Sequence, residues 1–372
     1  MLLNPRFPAL ERERLEQLAA RLPRLERHVW LATSGVSGLV KLVALSREAL
    51  LASAAAVNRH LEATARDTWV NVLPLFHVGG LGMVARAHLS GARMVGDHDA
   101  AGWPGTWSAR AFARRVAAER ATLSALVPAQ VDDLVRERLP APPSLRAVVV
   151  GGGAVPAALH GRARVLGWPL LPSYGATELC SQIATAPLAS LDSDAPPPLA
   201  LLSHIEAEVA AGGFLRFRSA ALFTGYARPD AGDESRGALH DPKVDGWWTS
   251  EDRGELGGGC LVVEGRGADF LKIGGESTSL GRLEAVLADA RRACAFDADA
   301  TLLAMADDRL GHAVVLLHDA PSDAPAAALV AAFNARVLPF ERIRSIHRLA
   351  SLPRSPLGKL LPAEARRRLG RP

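Results

Sequence analysis

Hydrophobic and polar positions change their period repeatedly along this chain, and the changes mark out elements. Residues 8–27 set apolar positions at helical spacing among Arg and Glu, which predicts an amphipathic helix, and the apolar run "HVWLATSG" after it predicts a strand entering a glycine turn. The same reading predicts helices at 46–65, 78–89, 108–120, 128–138 and 156–166. Between them it predicts strands at 69–73 ("WVNVL"), 92–95, 122–127, in "LRAVVVGGG" and in "PLLPSYG". Strands alternating with helices in this way predict an α/β fold with a mainly parallel sheet. Beyond about residue 185 the texture changes. Pro-rich "SDAPPPLALL" is followed by short alternating runs such as "IEAEVA" and "GFLRFRS" between glycine turns, which suit an antiparallel β subdomain. From about 267 the pattern reads as a small separate α+β domain, with "GRGA" before it as a hinge.

Composition narrows the class. At 372 residues, 49% hydrophobic and 22% charged, the chain has the make-up of a globular protein rather than a disordered one. The net charge of +4 is spread over interspersed Arg and Asp/Glu with no basic run, so nucleic acid is not the expected partner, while a local phosphate site is compatible. Three scattered cysteines, Cys180, Cys260 and Cys294, form no CxxC pair and indicate neither a zinc site nor a disulfide framework. The opening "MLLNPRFPALERERLEQL" turns charged too early for a signal peptide, and no stretch approaches the roughly 20 apolar residues of a membrane span. The expectation is a cytoplasmic protein without membrane insertion.

Three stretches carry candidate chemistry. In "TSGVSGLVK", Thr33 to Lys41, close glycines and hydroxyls let backbone N–H groups and side chains surround phosphate oxygens, with a lysine adding charge; an ordinary Gly/Ser turn is the competing reading. In "SYGATELCS", a tyrosine can lie along a nucleobase, while Thr177 and Glu178 suit a phosphate and a magnesium ion; equally, Tyr174 suits a core and Glu178 a solvated helix. In "GWWTSEDRGEL" and "VEGRGADFLKIGGE", Asp252 can accept from a ribose diol and Arg266 can donate to it, with a salt bridge as the alternative. Only four of the 43 Lys and Arg residues are lysines: Lys41, Lys243, Lys272 and Lys359.

The order of these blocks decides between the readings. The Gly/Ser loop, "PLFHVGGLG", "GGGAVP", "YGATE", "SEDRG", "GRGADFLKIGGE" and "PRSPLGK" resemble, over nearly the whole chain, the adenylate-forming superfamily of acyl-CoA synthetases, luciferases and peptide-synthetase adenylation domains. The resemblance implies an AMP-binding domain over 1–265 and a mobile lid domain over 266–372. It assigns Thr33, Ser34, Gly35, Ser37, Gly38 and Lys41 to the phosphates, and Gly151, Gly152, Gly153 and Tyr174 to adenine. Thr177 and Glu178 fall to phosphate and magnesium, and Asp252 and Arg266 to ribose. Lys272 is placed among the nucleotide-binding residues, and Lys359 is the catalytic lysine, whose flexible point charge can follow moving oxygens. His77 falls in the block lining the acyl pocket, and a buried core histidine is the alternative.

The implied reaction uses ATP, Mg2+ and CoA to convert a carboxylic acid into an acyl-adenylate and then a thioester. "LPLFHVGGLGMVARAHLSGARMV", "LSALVPAQVDDLV", "LRAVVVGGGAVP" and "TSEDRGEL" bring the chain closest to the o-succinylbenzoate-CoA ligases of menaquinone biosynthesis. Other CoA ligases for aryl or fatty acids, a carrier-protein-loading enzyme and a non-catalytic nucleotide-binding relative are the alternatives. The chain departs from the family pattern at Val36, Val40 and Ala268, lacks a tyrosine-proline pair in "GGESTSLGRLE", and places the phosphate loop unusually early. These departures fit a slower enzyme, a narrower substrate range, or a pocket completed by a second protein or protomer; relatives suggest a homodimer.

Overall fold

The computed structural model describes residues 1–5, 9–22, 25–34, 40–96, 98, 105–193, 197–229, 237–266, 270–273, 276–307, 311–337, 341–355 and 358–370. The chain forms two compact units, Met1–Ser250 with Glu255–Val262, and Glu251–Gly254 with Val263–Pro372.

In the first unit the alternating segments become β1 (His28–Ser34), β2 (Val40–Ser46), α2 (Arg47–His60) after α1 (Ala9–Arg21), β3 (Thr68–Asn71), α3 (Val78–Ser90), β4 (Arg93–Val95), α4 (Ala109–Ala118), β5 (Leu123–Leu126), α5 (Pro128–Arg136), β6 (Ala147–Val150), α6 (Ala157–Val165), β7 (Leu170–Ala176) and β8 (Ser181–Thr185). The first helix stops short of the expected 27, at Arg21. Helix α2 starts where the pattern placed it because the Ser46 hydroxyl accepts the Ala49 N–H at 3.0 Å, satisfying one of the orphan donors of the first turn.

Strands β4, β3, β5, β6 and β7 lie side by side in that order and are all parallel. The short apolar runs of β5 and β6, at the centre, are buried on both faces, as a parallel strand covered by helices requires. Val148 and Val150 turn to a core shared with Phe112, Val131 and Leu134, while Ala147 and Val149 turn to one shared with Val57, Trp69 and Met83. Alternate residues therefore serve two helix layers, α4 to α6 on one face and α2 with α3 on the other.

The antiparallel part expected after residue 185 is continuous with the parallel part, not a separate sheet. β8 turns back antiparallel on β7, and the sheet continues through Leu199–Leu201, Cys260–Arg266, Trp248–Gly257, Phe214–Arg218 and Glu206–Val209 to eleven strands. A second, four-stranded sheet pairs the β1–β2 hairpin with Gly225–Pro229 and Gly237–His240.

The second unit has its own sheet, with Glu276–Ser279, Phe270–Ile273, Gly311–His318 and Ala300–Asp307 in that order and Ser345–Arg348 parallel to Gly311–His318. One face packs on helices Leu280–Ala293 and Asp323–Asn334 through Leu283, Leu287, Leu329 and Phe333. The other face holds Leu352 and Ala365 against Leu303, Met305, Val315 and Leu317. No helix among the described residues is long and apolar enough to cross a membrane.

Candidate active site

The carboxyl ends of parallel strands are where an open α/β sheet leaves a crevice for ligands, and several of the candidate residues meet there. Gly151 to Gly153 leave the end of β6, with the Gly151 N–H bonded to the Leu126 carbonyl at 3.1 Å. Tyr174 stands near the end of neighbouring β7, its ring 6.3 Å from that of Phe217. The two segments are tied together by the Ser173 hydroxyl, which donates to the Val150 carbonyl at 3.3 Å.

Beyond Tyr174 the chain makes the turn Thr177–Leu179, passes Cys180 at φ 53°, and returns as β8. The register shifts between Tyr174 and Gly175, and a Cβ at position 175 would lie 2.0 Å from the Ser181 carbonyl oxygen. Glycine is therefore the residue that lets the two strands approach closely enough to present Thr177 and Glu178 at the sheet edge. The Glu178 carbonyl accepts the Phe223 N–H at 2.8 Å, and its carboxylate Oε1 accepts the Tyr226 hydroxyl at 2.8 Å.

Tyr226 is the residue the motifs did not single out. It lies on Gly225–Pro229, opposite Val43 of β2, and the Lys41 ammonium sits 5.3 Å from its ring centroid. One side chain thus joins the lysine at the end of the glycine loop to the glutamate of "YGATE". It is one of only two tyrosines in the chain, the other being Tyr174, and that rarity was the available signal. Lys243, the lysine outside every motif, holds this segment in place. Its ammonium donates to the Phe223 carbonyl at 2.9 Å and the Thr224 carbonyl at 3.2 Å, and pairs with Asp241 at 2.7 Å.

Of the expected phosphate residues, Thr33 and Ser34 end β1, their backbones paired with Lys41 and Val40 of β2. Gly35, Ser37 and Gly38 lie outside the described residues, as do Val36 and Ala268 and the side chains of Thr33, Ser34, Arg266 and Lys272.

His77 is the N-cap residue of α3, just past the end of β3, with its ring 4.9 Å from that of Phe76. Burial pushes its pKa down to about 4, so the imidazole is neutral at pH 7. Two turns further along the same helix is Arg86, only 2% exposed, whose Nη2 donates to the Ser181 hydroxyl at 2.8 Å and whose guanidinium lies 6.0 Å from the Trp69 ring. No carboxylate pairs with it among the described residues, and burial pushes its pKa down to about 10. A charge kept in the core is costly, and here the Ser181 hydroxyl and the Trp69 ring are the contacts that offset it. An arginine on the buried side of an otherwise apolar helix was the sequence signal for it.

In the second unit, Asp252 lies on Trp248–Gly257 and Arg266 ends the neighbouring Cys260–Arg266; Lys272 is on Phe270–Ile273. Lys359 stands in a tight turn between Arg354 and Leu360, with its N–H bonded to the Ser355 hydroxyl at 3.2 Å.

Magnesium holds its position through one or two carboxylates plus substrate phosphates and water rather than through an all-protein cage. The first unit fits that mode: Glu178 is fixed through one oxygen by Tyr226, whose ring also meets the ammonium of Lys41, a cation suited to phosphate.

The sequence model of the family described as AMP-binding enzyme matches residues 26–212, half of the chain. The chain belongs to the AMP-binding enzyme family. Its relatives in that family include the 2-succinylbenzoate--CoA ligase of Escherichia coli, 31% identical over 257 residues, and a protein of Mycobacterium tuberculosis named "Probable 2-succinylbenzoate--CoA ligase", 30% identical over 340 residues. The alignments cover 69% of this chain and 51% of the first relative, and 89% and 81% for the second. The chain thus spans about half the length of the first curated relatives it matches. Among solved structures, the o-succinylbenzoate CoA synthetase of Bacillus subtilis in complex with its acyl-adenylate OSB-AMP superposes with a TM-score of 0.75 at 25% identity, over 90% of this chain and 68% of that one. The likeness in fold covers both an α/β sheet and a small C-terminal unit, as expected for an adenylate-forming enzyme.

Proposed function

We propose that this AMP-binding enzyme is an ATP-dependent acid-CoA ligase and that its acid is 2-succinylbenzoate. The observation that carries the reading is the connected set Lys41, Tyr226 and Glu178 beside the strand ends that bear Gly151–Gly153 and Tyr174. It brings together a cation for phosphate and a carboxylate for magnesium, the latter on the chain segment that also bears Tyr174 as a platform for a base. The names of the relatives support the acid, and so does Arg86: a second carboxylate on the substrate is the anion that a buried guanidinium with no carboxylate partner among the described residues would take, with neutral His77 at the head of the same helix.

In the first half-reaction the substrate carboxylate attacks the α-phosphorus of ATP and pyrophosphate leaves. Positioning and charge neutralisation supply most of the rate. Lys41 with Thr33, Ser34, Gly35, Ser37, Gly38 and Thr177 holds phosphate oxygens, Gly151 to Gly153 and Tyr174 hold adenine, and Asp252 and Arg266 hold ribose. Lys359 stabilises the charge shared between carboxylate and α-phosphate, and Lys272 assists in holding the nucleotide. Glu178 would hold a magnesium ion, which would supply further charge neutralisation on the phosphates. In the second half-reaction the CoA thiol forms the thioester bond as the bond to AMP breaks. We assign the C-terminal unit the part of a lid that serves each half-reaction in turn, and the cytoplasm as the working compartment.

Mass spectrometry of products from Mg-ATP, CoA and a panel of acids tests this directly. 2-Succinylbenzoyl-CoA is expected as the main product, with Lys359→Ala giving neither adenylate nor thioester at unchanged ATP affinity. Turnover of a different acid alone would remove the assigned substrate, and failure of every acid to give an adenylate would remove the ligase reading.

A further inference from the structure

We propose that Arg354 is a positioning residue for Lys359, tying the turn that carries the lysine to the sheet of the C-terminal unit through Asp299; this rests on the role of Lys359 given above. Arg354 Nε donates to Asp299 Oδ2 at 2.6 Å and Nη2 donates to Oδ1 at 2.6 Å, a two-pronged pairing that fixes the plane of the guanidinium. The remaining nitrogen, Nη1, donates to the Gly358 carbonyl at 2.8 Å. One side chain therefore spans from Asp299, which precedes strand Ala300–Asp307, to the residue immediately before Lys359.

Each end of this clamp is itself fixed. The Asp299 N–H donates to Asp319 Oδ1 at 2.8 Å, and the Asp319 N–H returns a bond to the Asp299 carbonyl at 3.1 Å. Behind them, half-buried Glu284 accepts from the Thr301 hydroxyl at 2.5 Å and the Leu302 N–H at 2.6 Å. Asp299 and Asp319 face Arg354 with negative charge, so the cation is held toward the sheet, while burial raises the Glu284 carboxyl above the usual range.

On the turn side, the Ser355 N–H bonds the Lys359 carbonyl at 2.7 Å, the Gly358 N–H bonds the Ser355 carbonyl at 2.8 Å, and the Leu361 N–H bonds the Pro353 carbonyl at 2.8 Å. Gly358 adopts φ 77°, which a side chain there would strain. Its carbonyl is the one Arg354 grips. Leu352 and Ala365 anchor the flanks of the turn in the core.

A lysine on a flexible stem needs a fixed base if its ammonium is to meet two oxygens in the transition state, and a displacement of about 1 Å costs on the order of a hundredfold in rate. The Arg354 fork supplies that base. A lysine at 354 could reach Asp299 or the Gly358 carbonyl, but its point charge cannot pair both with fixed geometry.

The test separates the half-reactions. With 2-succinylbenzoate and Mg-ATP, pyrophosphate exchange by Arg354→Gln is expected to fall roughly 10- to 100-fold while KM for ATP stays as in the wild type and the melting temperature falls by no more than a few degrees. Conversion of preformed 2-succinylbenzoyl-AMP to the thioester should stay within about twofold, because the lysine serves only the first step. Asp299→Asn should show the same split, with the double variant no worse than the poorer single one. Equal loss in both half-reactions, a collapse of the melting temperature, or undiminished exchange would overturn the proposal. If Lys359→Ala keeps full exchange, the role of Lys359 fails; if only that variant loses exchange, the clamp alone fails. Cleavage by a lysine-specific protease reads the turn without any substrate: Arg354→Gln should be cut faster at Lys359 but not at Lys41 or Lys243, and equal rates at all three would also overturn the clamp.

Discussion

Tyr226 shows how a single side chain can serve two others. Its hydroxyl fixes one oxygen of Glu178 and its ring face meets the ammonium of Lys41, so the two groups assigned to magnesium and phosphate share a support. Tyr226→Phe removes the donor and leaves the ring. A hydrogen bond to a charged group contributes about 1.5 to 3 kcal/mol, so the Mg2+ concentration for half-maximal binding of ATP, measured by calorimetry, should rise about tenfold while the fold is kept. An unchanged Mg2+ dependence would show that Glu178 needs no such support. Among the residues named from motifs, Glu178, Lys41, Gly151 and Tyr174 could be found because their types and spacing are dictated by the chemistry. Tyr226 and Arg86 carried only weak signals, a rare tyrosine and an arginine in a mostly apolar helix, since what distinguishes them is burial and neighbours distant in sequence.

At the scale of elements, the parallel sheet divides its labour between its two edges. The carboxyl ends of β6 and β7 carry the candidate site, and the amino ends of β3, β5 and β6 are held by an ion pair. Asp67, with a side chain 8% exposed, accepts from Arg146 at 2.9 and 3.0 Å, from the Thr122 hydroxyl at 2.7 Å and from the Thr64 N–H at 2.8 Å. These residues immediately precede or flank the three strands. Removing one partner from such a pair costs about 3 kcal/mol because the other charge is left without compensation. Asp67→Asn should therefore lower the unfolding free energy of the first unit, measured in urea, by that amount, with activity per folded molecule unchanged because the site is at the opposite edge. A loss of activity at unchanged stability would contradict this division. The same elements were legible in advance: "AVVV" and "LSAL" can only be strands covered on both sides, and helices separate them at regular intervals.

For the molecule as a whole, burial of ionisable groups ties stability to pH. His77 and His204 are both pushed down to about 4, the first by burial and the second by burial together with the nearby Arg59. In the unfolded chain each takes up its proton near 6.5. Their contribution to stability is thus complete above pH 6.5 and is lost progressively as the pH falls toward 4, by up to about 3 kcal/mol each. Asp67 adds a loss at lower pH: burial raises its carboxyl, but the bonds from Arg146, Thr64 and Thr122 outweigh this and hold it below the usual value, so its contribution fades only as the solution passes below about 4. Thermal unfolding followed between pH 7 and 4 should fall steeply, and His77→Gln with His204→Gln should flatten the curve between 6.5 and 4. A wild-type curve that is flat in that range would contradict it.

The sequence by itself determined the local elements, the fold class and the residue types the chemistry requires, because hydrophobic period, turn residues and motif spacing act over a few neighbours. Only the tertiary structure decided that the β1–β2 hairpin pairs with Gly225–Pro229, that Arg86 is buried with no carboxylate paired to it among the described residues, and that Arg354 reaches Asp299. Each of these depends on which distant segments close on one another and in what register, and local pattern carries no term for that.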